Sequence, residues 1–435
     1  MKIEGSAVDV VLGLDGFVVR AAEQVDGELW LAVETGADFV GCSGCGTRAR
    51  SKGRSTTLVR DMACGGRPVR LVWRKRRWYC PDADCHVKTW TEQSDVVRRR
   101  AGLTERARVD ICTRVGRDAA SVLALAREYG VAWSTAMAAV VAVGTPIVED
   151  PSRIGEVRQL GIDETSFLAA NASHPTTFVT GLVDLQRSRL LDVVEGNRGP
   201  DVARWLGRRS EEWLDGVKVV ATDPHEGYRR GISPALEHAT LVADPFHICA
   251  LANRAVDEVR RRVQQATLSH RGRRDDPLYR IRRVLVTGGE RLSERGWERL
   301  RAGLVAGDPD DEVLEAWLAK EHVRDIYLTA DATEAAALVD KAIAFCADSA
   351  VPEVRRLGRT LARWRKEILA HHATGASNGP TEALNLLIKK VKRVGHGHRR
   401  FANYRLRLLL HCGVAWPPPA AAVLRPHPRR RRLAA

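Results

Sequence analysis

The sequence predicts a multi-domain α/β protein on three observations. Short apolar strands alternate with helices between residues 151 and 248. A stretch with only helical periodicity follows, and a cysteine-bearing β region with helices precedes it. A chain of 435 residues can bury several cores and fits two to four domains. Lys and Arg exceed Asp and Glu by 15, giving a pI near 9.7. Such an excess favours a polyanionic partner. Because the basic residues are spread over several segments rather than one amphipathic helix, nucleic acid fits better than a membrane surface. No stretch approaches the roughly 18 apolar residues of a membrane span, and no targeting pattern opens the chain, so an intracellular, soluble protein is expected. Nine cysteines in a chain of this length predict reduced thiols with one metal site rather than a disulfide framework.

Residues 1–95 are expected to form a zinc-ribbon-like β module. DVVLGLDGFVV and ELWLAVE read as strands joined by glycine-bearing turns. GCSGCG supplies Cys42 and Cys45; RPVRLVWRKRRWY is a strand leading into WYCPDADCH, which supplies Cys80 and Cys85. A two-residue gap lets both thiolates reach one ion, and a second pair delivered by a hairpin completes a tetrahedral site for structural Zn2+. Cys64 and His86 stand as alternates for one of the four ligands.

Residues 96–150 are expected to form a helix-turn-helix domain. TERARVDICTRVGRD is helical, an alanine-rich helix ends at Gly130, and a new helix opens around Trp133, Ser134 and Thr135, whose side chains would meet base edges or phosphates.

Residues 151–248 read as strand (VRQLGIDETSF, ending at Asp163), strand (TTFVTGLVDL), strand (RLLDVVEG), helix (DVARWLGRRSEEWL), strand (VKVVATD, ending at Asp223), helix (PHEGYRRGISPALEH) and strand (ATLVADPFHI, running to Asp244). That order is that of a ribonuclease-H-like core. Residues 249–375 form an all-α insertion, 376–415 a helix closing the core, and 416–435 a disordered basic tail. In the closing helix Leu384, Leu387, Ile388 and Val391 mark a buried stripe, and Asn378, Gly379 and Pro380 an N-terminal cap.

Glu382 is the lone acid in the basic run NGPTEALNLLIKKVKRVGHGHRR. With Asp163 and Asp223 at strand ends, it makes a third carboxylate, and three such groups hold two divalent cations about 4 Å apart for phosphodiester chemistry. Oxygen donors imply Mg2+ or Mn2+. Asn385, Lys389, Lys392 and Arg393 would then hold the DNA backbone. Asp244 competes for the second position; Asp223 is preferred because it ends the fourth strand, which neighbours the first in this fold. Asp184, Asp192 and Glu164 read as hydrogen-bonding or surface groups, and His225, His247, His371 and His372 as ordinary polar or core histidines.

The paired cysteines, the helix-turn-helix, GIDETSF, TD followed by HEGY, ADPFHI, and SNGPTEALNLLIKKVKRVGHGHRRFANYRLRLLL together resemble the ISL-three family of bacterial insertion-sequence transposases, from about residue 40 to 412. The resemblance implies an Asp-Asp-Glu transposase that recognises the terminal inverted repeats of its element in double-stranded DNA, cuts at the ends and joins them to target DNA. It also implies a homodimer or larger assembly in the synaptic complex and a cytoplasmic, nucleoid-associated location. By motif position the catalytic acids are Asp163, Asp223 and Glu382. The chain departs from the family pattern at Ala383 and Leu386 and around His396 and His398, positions that touch packing and phosphate contacts. A non-catalytic DNA-binding regulator would explain the cysteines, the helix pair and the charge, but not three acids so placed; a nuclease without joining activity would differ only in its products.

Overall fold

The computed structural model describes residues 13–14, 16–36, 39–172 and 175–417. The start of the expected first strand and the tail from residue 418 lie outside these residues. The chain divides into two compact units, Met1–Arg153 with Lys390–Ala435, and Ile154–Lys389.

The first unit opens with β1 (Phe17–Val25), β2 (Glu28–Thr35), β3 (Arg50–Cys64), β4 (Arg67–Tyr79) and β5 (Thr89–Thr91) in one sheet of order β1-β2-β4-β3, with β5 also on β4. Asp26 and Gly27 connect β1 to β2 with φ of 49° and 82°, the positive values that a tight two-residue hairpin turn demands. Strand β4 alternates, so Val69, Leu71 and Trp73 face the core with Phe17, Leu31, Val33 and Val59. Three helices follow: α1 (Glu105–Arg117), α2 (Val122–Glu128) and α3 (Trp133–Glu149). Gly130, at φ 62°, ends α2, and the chain bends by 112° into α3. No single helix among the described residues is long and apolar enough to cross a membrane.

The second unit begins with β6 (Gln159–Leu168), β7 (Thr177–Asp184) and β8 (Arg189–Glu195), then α4 (Gly199–Leu206), α5 (Glu211–Gly216), β9 (Val219–Thr222), α6 (Glu226–Ile232) and β10 (Thr240–Ala243). The sheet order is β10-β9-β6-β7-β8; β6, β7 and β8 are antiparallel, while β9 and β10 run parallel to β6. Leu160, Ile162 and Val220 pack with Trp205 of α4 and Tyr228 of α6. Two expectations need correction. DVARWLGRRSEEWL is two helices, because Ser210 breaks the run and caps α5 by accepting from the Trp213 N–H at 3.2 Å. The helix after Asp223 ends at Ile232: Ser233 keeps helical angles and bonds back to Arg229, but Pro234 has no N–H to carry the ladder on.

Next come α7 (Pro245–Leu268), α8 (Pro277–Arg280), α9 (Arg282–Leu285), α10 (Glu294–Gly307), α11 (Glu312–Asp325), α12 (Ala332–Asp348), α13 (Pro352–Arg363) and α14 (Arg365–Thr374), which share one apolar core. Helix α15 (Gly379–Val394) buries Leu384, Ile388 and Val391, but Leu387 is 38% exposed, so the buried stripe is narrower than its spacing predicts. Helix α16 (Phe401–Leu408) and a π-helical turn (Leu409–Gly413) belong to the first unit.

Candidate active site and zinc site

The cysteine pairs flank the β3–β4 hairpin. Cys42 and Cys45 precede β3, Cys80 and Cys85 follow β4, and Arg50 pairs with Tyr79, so both pairs emerge at the same hairpin end. Cys42 Sγ lies 3.6 Å from Cys85 Sγ, and Cys45 Sγ lies 3.5 Å from Cys80 Sγ. All four sulfurs lie within 4.8 Å of one another. Four thiolates at the Zn–S length of about 2.3 Å stand about 3.8 Å apart at the corners of a tetrahedron, so the cluster fits zinc, whereas a disulfide needs about 2.05 Å. The Gly44 N–H donates to Cys42 Sγ at 3.4 Å and leads the effects that draw its thiol down to about 7; burial pushes Cys80 up to about 12. A Cβ on Gly44 would stand 2.9 Å from the His86 ring and 3.1 Å from Cys85 Sγ, so the knuckle needs the glycine. The alternates fall away: Cys64 packs on the sheet core, and His86 stands outside the four-sulfur cluster.

The acid site is built from register. β6 and β9 pair in parallel from Gln159↔Val219 to Ile162↔Thr222, and β9 and β10 as far as Thr222↔Ala243. Asp163, Asp223 and Asp244 are each the next residue, so all three fall at one edge where the parallel pairing stops. Asp163 nevertheless does not end its strand, as expected above, because β6 continues to Leu168 in pairing with β7.

Asp163 is buried, at 4% exposure. Its Oδ2 accepts from Asn385 Nδ2 at 2.6 Å and its Oδ1 from the Glu164 N–H at 2.8 Å. Asn385 in turn accepts from Thr165 Oγ1 at 2.9 Å. The amide expected to hold DNA is thus buried and committed to orienting a carboxylate. Burial, reinforced by the neighbouring Asp223 charge, pushes the Asp163 carboxyl up to about 6.

Asp244 has a different place. It caps α7, accepting from the His247 N–H at 3.3 Å, and accepts from the Asn378 N–H at 2.8 Å. His247, read from the sequence as an ordinary histidine, sits among the acids. Its Nδ1 lies 2.5 Å from Asp223 Oδ1 and 3.2 Å from Asp244 Oδ2, and its Nε2 lies 4.0 Å from Glu382 Oε1. Burial opposes charge on this ring, but hydrogen bonds to Asp223 and Asp244 outweigh it and carry the imidazole up to about 10. Asp163, Asp223 and His247 offer donor atoms close enough for one metal ion; Glu382 adjoins them across the ring. A buried carboxyl held above its ordinary range beside a second carboxylate suits a divalent cation, which would relieve both effects.

Residues that the motif reading missed set this geometry. A Cβ on Gly161 would lie 2.5 Å from Thr381 Oγ1, 2.6 Å from Leu185 Cδ2 and 2.9 Å from Asn378 Oδ1, so the glycine lets the start of α15 close on β6. Asn378 donates to the Ile162 carbonyl at 3.3 Å and accepts from Thr381 Oγ1 at 2.6 Å. The N-G-P-T run carried that signal. Lys389 and Arg393 are exposed on α15, and Lys392 is half-buried. Trp133 and Ser134 are exposed at the start of α3, and Thr135 is half-buried. Asp184 accepts from the N–H groups of Gln186 and Arg187, Asp192 from Trp205 Nε1, and Glu164 from Asn197, as hydrogen-bonding groups.

Comparison with known proteins covers the regions that hold both clusters. A family model described as a transposase, of the ISL-three Asp-Asp-Glu type, matches residues 160–408, more than half of the chain. A second model, described as the zinc finger of the transposases of IS204, IS1001, IS1096 and IS1165, matches residues 38–85. Two relatives are each described as the transposase for insertion sequence element IS1557 of Mycobacterium tuberculosis, from strains CDC 1551 / Oshkosh and ATCC 25618 / H37Rv. Each is 25% identical over 301 residues, covering 65% of this chain and 66% of the relative, so the chain spans just under two thirds of the length of the relatives it matches. With a zinc-finger match over the cysteine cluster and a transposase match over the acid site, the chain belongs to the ISL-three family of transposases.

Proposed function

We propose that the chain binds the terminal inverted repeats of an insertion sequence and catalyses metal-dependent DNA strand cleavage and strand transfer. The observation that carries this is the meeting of Asp163 and Asp223 where the parallel pairing of β6 and β9 stops, with Glu382 across the His247 ring. Asp163, Asp223 and Glu382 would hold Mg2+ or Mn2+. Such ions, when bound, activate the attacking oxygen and stabilise the leaving oxygen of a phosphodiester. Asn385 fixes the rotamer of Asp163, and Asp244 fixes the start of α7 and with it His247. Lys389, Lys392 and Arg393 would hold the DNA backbone. The antiparallel β6–β8 and parallel β9 and β10 support a ribonuclease-H-like core interrupted by the helical insertion 249–375. The bend between α2 and α3 supports a helix-turn-helix in which Trp133, Ser134 and Thr135 face DNA. Bringing two element ends together calls for at least two copies of the chain.

The test uses duplexes carrying the element's ends, with Mn2+. Wild type cuts and joins; Asp163→Asn, Asp223→Asn and Glu382→Gln keep DNA binding but lose cleavage by at least about a hundredfold. Asp244→Asn loses stability along with activity, by about 1–3 kcal/mol, because a buried acceptor of two N–H groups is weakened. A folded but inert Asp244→Asn beside an active Asp223→Asn would reassign the second carboxylate. Tight binding by wild type with no cleavage would favour the non-catalytic regulator.

A further inference from the structure

The first unit contains a cleft of about 560 Å³ between the start of α3 and the turn leading into α16. Trp133 and Ser134 line one side; His398, Arg399, Arg400 and Arg407 line the other, and no acidic residue is among its walls. Arg407 is 6% exposed, yet its Nε and Nη2 are buried with no hydrogen-bond partner among the described residues. The neighbouring His398 Nε2 is also buried and unpartnered. A Cβ on Gly395 would lie 2.7 Å from His398 Nε2 and 2.8 Å from Arg407 Nη1, so only a glycine there lets both groups come this close to the turn.

A guanidinium cannot escape burial by losing its proton, and a buried charge without a partner is strongly unfavourable. Here the surrounding groups add positive charge, since Arg399 and Arg400 stand exposed at the rim. No described residue supplies the missing partner, and the open cleft suits an anion from outside. An open cleft with a buried guanidinium, two rim arginines and a 48% exposed indole matches an extended phosphate-bearing strand better than a small enclosed ion.

We infer that this cleft seats one strand of DNA, with Arg407 facing a buried phosphodiester, Arg399 and Arg400 facing flanking phosphates, and Trp133 against a sugar or base. The inference rests on the DNA-binding reading above and adds to it a site shared by the second helix of the bent pair and the GHGHRR turn. It gives the motif's basic end a role in gripping DNA that is separate from the role of its acid.

The test measures binding of the full-length chain to a labelled terminal-repeat duplex by fluorescence anisotropy across a salt series, with Mn2+-dependent cleavage scored on the same DNA. The double variant Arg399→Gln/Arg400→Gln, confined to exposed side chains, should bind at least about tenfold more weakly. Its slope of log affinity against log salt should be shallower by about 1.8, at about 0.9 for each phosphate lost. Arg407→Met should also bind more weakly while melting at a higher temperature than wild type, a combination that a merely structural arginine would not give. Wild-type affinity and slope in the double variant, in a chain that still cuts DNA, would overturn the cleft and leave the proposed function standing. A wild type that binds no duplex would overturn both. Inorganic phosphate raising the melting temperature as much as duplex does would assign the cleft to the free ion and overturn it as a DNA site.

Discussion

Asp163 is an acid held in a place where ionisation is resisted, and that resistance makes its behaviour depend on pH. Its carboxyl is raised to about 6 by burial and by Asp223, against about 3.9 in an unfolded chain. Between those values the folded state binds the proton that the unfolded state has released. Stability of the metal-free chain therefore falls as pH rises from about 4 through 6, by on the order of 3 kcal/mol for this group. His247 acts in the same direction at higher pH. Raised to about 10 by Asp223 and Asp244, it contributes stability fully present below about 6.5 and lost as pH climbs through 10. A divalent cation must displace the Asp163 proton, so this group should make Mn2+ affinity rise about tenfold per pH unit from pH 4.5 to 6. Calorimetric titration of the metal-free chain at pH 5, 6, 7 and 8 checks this; an affinity independent of pH across 5 to 6 would remove Asp163 from the ligand set.

Elements bring these residues together through register and close approach, and the sequence reveals the two unequally. VKVVATD and ATLVADPF are legible as strands because buried parallel strands read as continuous apolar runs. Gly161 is where close approach shows: its missing Cβ makes room for Thr381, Leu185 and Asn378. Gly161→Ala should cost about 1–3 kcal/mol by forcing β6 and the start of α15 apart. It should also weaken cleavage beyond any loss of folded protein, since Asn385 would withdraw from Asp163. Urea denaturation and cleavage rates measured at equal folded fraction check both parts; a variant with an unchanged midpoint would show that the helix start can shift at no cost. Helical spacing puts Asn385 on a polar face, where it reads as a DNA contact. Only the packing of α15 on β6 shows that face turned inward toward Asp163. Alternation likewise places Asp163 at a strand end, because parallel pairing with β9 stops there while antiparallel pairing with β7, which leaves no separate mark in the sequence, carries the strand on. His247 is illegible for the same reason, as nothing in ADPFHI states that its ring will lie between Asp223 and Glu382.

At the scale of the whole molecule, the cysteine pairs and the strand order are local and were readable in sequence. The return of the chain after residue 390 to the first unit is not, because it depends on contacts across more than 250 residues of sequence. Those contacts are buried or half-buried. His411 Nδ1 lies 2.7 Å from the Gly116 carbonyl, and Arg153 Nη1 donates to the Gly413 carbonyl at 3.5 Å. A Cβ on Gly144 would sit 2.8 Å from Leu410 Cδ1, and one on Gly116 would strike the Trp416 ring. Leu408, Leu409 and Leu410 are fully buried. Removing residues 390–417 would uncover the apolar faces of α1 and α3 that these side chains cover, with about 1.5–3 kcal/mol lost for each large side chain no longer buried. A fragment of residues 1–153 should therefore melt at a much lower temperature or aggregate. The same fragment joined through a flexible linker to residues 390–417 should unfold in one cooperative transition. Thermal melts followed by circular dichroism compare the two, with bound zinc measured alongside. Equal melting temperatures would show that residues 1–153 form a complete folding unit and that the returning segment only rests upon it.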